Sequence, residues 1–192
     1  DGQGVIADSV NNKKYLYEIY LKEDQNYSGR VTVPLLWDKK TSTIVNNESA
    51  DIIRMFNSEF DDIGANPGNY YPEAKRTAID DMNDYIYQNI NNGVYRSGFA
   101  TTQEAYNEAI ETLFLGLDKL DTILSHQKYL IGDEITESDW RLLPTLLRFD
   151  SVYHGHFKCN KKKIKEYDNL FNYAKELYQY PGISDTLSLI HI

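Results

Sequence analysis

Residues 61–72, DDIGANPGNYYP, mix Gly, Pro, Asn and Asp, and the apolar pattern of the chain obeys one rule before them and another after. Before them, Val31, Val33 and Leu35 alternate with Thr32, Pro34 and Leu36 as far as Trp37. Asp38-Lys39-Lys40-Thr41-Ser42 then supplies turn residues, and Thr43-Ile44-Val45 follow. That pattern predicts a β-hairpin with its first strand starting at Val31. Ile52, Ile53 and Phe56 recur at helical spacing behind Asn47-Glu48-Ser49, whose side chains are natural helix caps. Tyr15 to Tyr20 read as a short helix. After residue 72 the period is that of helices throughout, so the chain is expected to join a part-β unit over 1–60 to an all-helical unit over 73–192 by a linker over 61–72.

Ile79, Met82, Ile86 and Ile90 predict one helix ending near Gly93, and Tyr106 to Leu124 predict a second, opened by a Thr101-x-x-Glu104 capping box. GDEITESDW carries the sharpest local signal. Thr136 and Asp139 have the spacing of a capping box and Ile135 and Trp140 that of a hydrophobic staple. Pro144 falls within that helix and is expected to kink it. A last helix runs from Ile164 to Leu177, before Pro181-Gly182.

With 20 Lys and Arg against 29 Asp and Glu, the formal net charge of −9 repels nucleic acid and anionic lipid, and neither is expected as a partner. No apolar run reaches the length of a membrane span, and DGQGVIADSVNNKK has no signal-peptide pattern, so a cytoplasmic location is expected. The lone Cys159 cannot make an internal disulfide, and the sequons at Asn26 and Asn47 are read as chance. The chain has no initiator methionine and stops at SLIHI, and reads as a fragment.

Two features of residues 29–56 point to a ligand. Pro34 cannot donate to a sheet ladder, so the Val33 backbone is left to pair with an extended peptide, an arrangement a cis Val33–Pro34 bond favours. At the helix mouth, the Ser49 hydroxyl and the helix N-terminus favour a carboxylate while Glu48 favours an ammonium. Taken alone, Glu48-Ser49 at a helix start is more often simple capping, and it is the preceding Val-Pro strand that tips the reading towards a ligand. A small peptide with a free α-amino acid end, such as glutathione, fits both.

The order strand, Val-Pro, strand, Glu-Ser, helix and then helices resembles the glutathione transferases. GRVTVPLLWDKKTSTIVNNESADIIRMFN, NNGVYRSGFA and YLIGDEITESDWRLLPTLLRFDSVYHGHFKCN resemble the glutathionyl-hydroquinone reductases, or Xi-class glutathione transferases. The resemblance implies an α/β plus all-α architecture, with part of a thioredoxin-like domain followed by the glutathione-transferase helical domain. It implies that Val33, Glu48 and Ser49, with Arg30, bind glutathione as co-substrate. It implies that Tyr95 and Tyr153 line a pocket for the hydroquinone, that no metal is used, and that the protein is a homodimer acting on glutathionyl-hydroquinones.

The family's nucleophile is a cysteine in a Cys-Pro-Trp setting, a motif this chain does not contain. Cys159 is expected to be an inert core residue in spite of nearby lysines, and the Lys161–Lys163 run a solvated face. His154-Gly155-His156 has no third ligand at useful spacing, and Gly2-Gln3-Gly4 lacks the setting of a nucleotide loop. Two further readings stand beside the reductase: a non-catalytic binding or assembly module, and glutathione conjugation activated by a hydroxyl.

Overall fold

A computed structural model of the chain describes residues 6–66 and 68–187, so Gly2-Gln3-Gly4 and the terminal SLIHI lie outside the described residues. The chain divides into two compact units, Asp1–Gly68 and Asn69–Ile192.

In the first unit, α1 (Tyr17–Glu23) precedes an antiparallel hairpin of β1 (Leu36–Asp38) and β2 (Thr43–Asn46), then α2 (Ser49–Ser58). Leu36 pairs with Asn46, Trp37 with Ile44 and Asp38 with Thr43, with an irregularity between Leu36 and Trp37. The Asp38 carboxylate accepts from the Lys40 and Thr41 N–H groups and closes the turn. The first strand is shorter than the alternation predicts. It begins at Leu36, because the pattern from Val31 to Leu35 runs through Pro34, which offers the ladder no donor. The Val33–Pro34 bond is cis.

α2 starts where the apolar period places it, but its caps differ from the expected set. No side chain caps it directly, and the Asn46 amide oxygen instead accepts from the Glu48 N–H at 2.6 Å. Asn47 turns the other way, towards Tyr20 and Thr32.

The second unit is helical: α3 (Arg76–Ile86), α4 (Asn92–Phe99), α5 (Gln103–Leu124), α6 (Glu137–Arg148) and α7 (Asp168–Tyr178). A π-helical turn, Tyr87–Asn91, joins α3 to α4, and another, Phe149–Tyr153, extends α6. The helix expected to stop near Gly93 therefore runs on to Phe99. Gly93 is no terminator here: a Cβ on it would lie 3.3 Å from Leu113, so the missing side chain lets α4 approach α5. The cap of α5 is Thr102 rather than Thr101, because the Thr102 hydroxyl is the one that accepts from the N–H three residues on, at Ala105.

Ile86, Ile90 and Val94 from α3 to α4, Leu113, Leu117 and Leu120 from α5, Leu142 and Phe149 along α6, and Leu170 and Leu177 from α7 form one buried core. Asp139 ties it to the polar frame. One carboxylate oxygen accepts from the Thr136 N–H at 2.7 Å and the Thr136 hydroxyl at 3.0 Å; the other accepts from the Leu130 N–H at 3.0 Å and the Tyr173 hydroxyl at 2.8 Å. Trp140 packs edge-on between Tyr70 and Tyr180, and Ile135 is partly buried against the core. Near Pro144, Asn91 donates to the Arg141 carbonyl and accepts from Thr145, binding the first π turn to α6. Among the described residues no helix is long and apolar enough to cross a membrane.

Candidate functional site

The candidate residues fall in both units, and each group is built by its own unit. In the first, Val33 is 77% exposed, and no described residue hydrogen-bonds its backbone, which leaves its polar groups to solvent or a ligand. Glu48 and Ser49 stand exposed at the start of α2, and their side chains make no hydrogen bond to a described residue. The Glu48 carbonyl takes the first helical bonds, from Asp51 and Ile52, so the Ser49 and Ala50 N–H groups precede the helical ladder. An exposed carboxylate, a hydroxyl and free helix N–H groups at one helix mouth suit the two charges of an α-amino acid.

Arg30 is exposed too, and its carbonyl accepts from the Tyr27 hydroxyl at 2.7 Å. The residues that hold this half-site together were invisible to pattern reading. Tyr20, 3% exposed, donates to the Thr32 carbonyl at 2.9 Å, while the Asn47 amide donates to the Tyr20 hydroxyl at 3.2 Å and to the Thr32 hydroxyl at 3.1 Å. Tyr20 carries only an apolar position of a short helix in the sequence, and nothing there signals its long-range hydroxyl contacts.

In the second unit, α4 and the second π turn bring Tyr95 and Tyr153 together. Their hydroxyls are 3.3 Å apart and their rings meet edge to face at 5.8 Å. π turns offset the helical register and are frequent at functional sites, and here one turn ends in Tyr153 and the other leads into the helix bearing Tyr95. Tyr153 is 6% exposed and Tyr95 is 44% exposed, so the pair runs from the core to the surface. Burial, and then the Tyr95 hydroxyl beside it, push the Tyr153 phenol far up, which keeps it a proton donor across the physiological range.

Phe157 lies edge-on to Tyr95, Tyr153 and Phe99, at centroid distances of 5.4, 5.4 and 5.5 Å. A Cβ on Gly98 would collide with its ring. Neither Phe157, Phe99 nor Gly98 stood out in the sequence, because only packing gathers them. The result is an aromatic wall carrying a pair of phenols, suited to a flat, oxygen-bearing ring.

Cys159 takes no part. Its thiol is 0% exposed and lies 3.9 Å from the Val94 carbonyl; burial pushes it up to about 12, only partly offset by the Ser97 hydroxyl. The lysines beside it do not favour its thiolate: Lys161 sits over the Phe114 ring and Lys162 over Tyr167, which corrects the expectation of a purely solvated run. Because the folded thiol titrates above its ordinary value of 9.0, its contribution to stability is intact below that value and is lost as the pH climbs towards 12. At pH 8 the folded chain should react with a maleimide or disulfide reagent about 10³-fold more slowly than the urea-unfolded chain. Equal rates would show the thiol to be open. Among the described residues no group of three His, Cys, Asp or Glu is placed to hold a metal ion.

The family model for the glutathione S-transferase C-terminal domain matches residues 103–176. Glutathionyl-hydroquinone reductase YqjG of Escherichia coli is 53% identical over 98% of this chain and 58% of that protein. The reductase PcpF of Sphingobium chlorophenolicum is 52% identical over 99% of this chain and 61% of that protein. The glutathione-bound structure of YqjG superposes with a TM-score of 0.97, covering 98% of this chain and 62% of that one. A Xi-class transferase from Natrialba magadii also gives 0.97, at 48% identity, covering 100% of this chain and 58% of that one. The chain spans about three fifths of the length of the curated relatives it matches. With identity near one half along almost the whole chain, and the glutathione S-transferase C-terminal domain matched over residues 103–176, the chain is similar throughout to Xi-class glutathione transferases.

Proposed function

We propose that the whole protein uses glutathione to reduce glutathionyl-hydroquinones to hydroquinones. The observation that carries this reading is the identity of about one half to two relatives named for that activity. The first unit is then part of a thioredoxin-like domain that binds the tripeptide: the Val33 backbone pairs with the cysteinyl residue, and Glu48 and Ser49, assisted by Arg30, hold the γ-glutamyl end. The second unit reads the ring, with Tyr95 and Tyr153 donating to its oxygen.

The chemistry is exchange at sulfur. A protein thiolate attacks the glutathione sulfur, an S–S bond forms, and the C–S bond breaks with its electron pair passing to the ring carbon, which takes up a proton. A second glutathione thiolate then attacks the mixed disulfide, releasing oxidised glutathione and restoring the protein thiolate. The phenol pair donates to the ring oxygen and holds the ring in place while the C–S bond breaks. Cys159, buried and with its thiol pushed up, is unsuited to the attack, and we assign the thiolate to a residue outside this chain. The reaction belongs in the cytoplasm, where glutathione is abundant and thiols stay reduced, and we expect the whole protein to be a homodimer.

Incubating the whole protein with a glutathionyl-hydroquinone and glutathione should yield hydroquinone and oxidised glutathione in equal amounts by reversed-phase chromatography. The 192-residue polypeptide alone should yield neither. Silence from both would leave the binding-module reading, which the sealed thiol of Cys159 favours. Tyr153→Phe should lower kcat/KM for the aromatic substrate about 10- to 100-fold, equivalent to roughly 1.4–2.7 kcal/mol of transition-state stabilisation, with its melting temperature little changed. An unaltered kcat/KM would remove Tyr153 from the mechanism.

A further inference from the structure

Two phenols in tilted contact grip the segment that leads into Val33. The Tyr20 and Tyr27 rings lie 4.8 Å apart at 41°, and their hydroxyls donate to the carbonyls of Thr32 and Arg30 at 2.9 and 2.7 Å. Gly29 makes this possible, since a Cβ there would fall 2.6 Å from the Tyr27 hydroxyl oxygen. With the carbonyls of Arg30 and Thr32 tied to the two hydroxyls, the neighbouring Val33 stands 77% exposed. Asn47 completes the arrangement. Its amide bonds both Tyr20 and the Thr32 hydroxyl, and it immediately precedes Glu48 and Ser49.

Apolar packing does little to hold these pieces. Among the described residues of the first unit, only Ile19, Tyr20 and Ile52 are buried hydrophobics. The relative placement of Thr32 and Asn47 therefore depends on the polar ties between them, and a half-site fixed in advance loses less ordering free energy when its ligand arrives.

We propose that Tyr20, Tyr27 and Asn47 are positioning residues for glutathione, a cradle that holds the Val33 backbone and the mouth of α2 in the register that one tripeptide requires. This rests on the reading that places glutathione at Val33, Glu48 and Ser49. None of the three touches the ligand; each acts through Arg30, Thr32 or Glu48.

The test is calorimetric titration of the whole protein with glutathione, comparing wild type, Tyr20→Phe, Tyr27→Phe and Glu48→Ala. Phenylalanine keeps the ring contact and removes only the hydroxyls. Tyr20→Phe should raise the Kd about tenfold and Tyr27→Phe about threefold, with matching increases in the glutathione KM and kcat retained at saturating glutathione. Melting temperatures and circular dichroism should stay near wild type, a combination that a merely structural role does not produce. A Kd within error of wild type in both variants, or one that rises only with the unfolded fraction, overturns the cradle. If Tyr20→Phe fails to fold, Tyr27→Phe decides the matter alone. Should Glu48→Ala bind as wild type does, the glutathione site itself is misplaced; if Glu48→Ala weakens binding and the tyrosine variants do not, the site stands and the cradle falls.

Discussion

Asp139→Ala is expected to cost the helical unit about 4 kcal/mol, at one to three for each buried donor left without a partner. The Leu130 N–H, the Thr136 N–H and the Tyr173 hydroxyl all end on this carboxylate, and Asp139 is fully buried, so water cannot replace it. Burial, and then Asp139 itself, push the Tyr173 phenol well up, so it has no ionised form in which it stops needing an acceptor. A loss of that size lowers the melting temperature by roughly 10 °C. Asp139→Asn should fall between, because the amide oxygen accepts on one side while its NH₂ faces donors on the other. Urea denaturation followed by circular dichroism measures both variants. A loss under about 1 kcal/mol for alanine would mean that the helix start is held by packing and the hydrogen bonds are incidental.

The other large effect is on binding. Replacing Glu48 and Ser49 together by alanine is expected to weaken glutathione binding about 100-fold, or about 2.7 kcal/mol, since under the proposed reading it removes a charge-assisted bond to the ammonium and a hydroxyl bond to the carboxylate. Both side chains are exposed and make no hydrogen bond to a described residue, so the fold should not register the change. Because the site is open to solvent, the wild-type affinity should also fall as salt is raised, and the double variant should respond less. Calorimetry on the whole protein reads both effects. An affinity that is indifferent to the substitutions would move the tripeptide elsewhere.

Some of this was written locally in the chain. The hairpin turn at Asp38, the start of α2, the box at Thr136 and Asp139 and the end of α7 before Pro181 each depend on residues within a few positions of one another, which pattern can read. Where local cues competed, sequence reading erred: Gly93 looked like a terminator, yet it is a contact point between α4 and α5, and Thr101 looked like a cap one residue too early. Val33, Glu48 and Ser49 were singled out by local chemistry and Arg30, Tyr95 and Tyr153 by resemblance, and the sequence could not say what surrounds them.

The sequence by itself determined the change from a strand period to a helical one, the hairpin turn and the capping box of α6, because these follow from short-range sterics and hydrogen bonding. Only the tertiary structure decided that Tyr95 meets Tyr153 across 58 positions, that Phe157 fills the space Gly98 leaves, and that Tyr20 reaches Thr32 and Asn47. Those pairings are set by how helices and turns pack, and contacts between distant positions leave no periodic mark on a single chain.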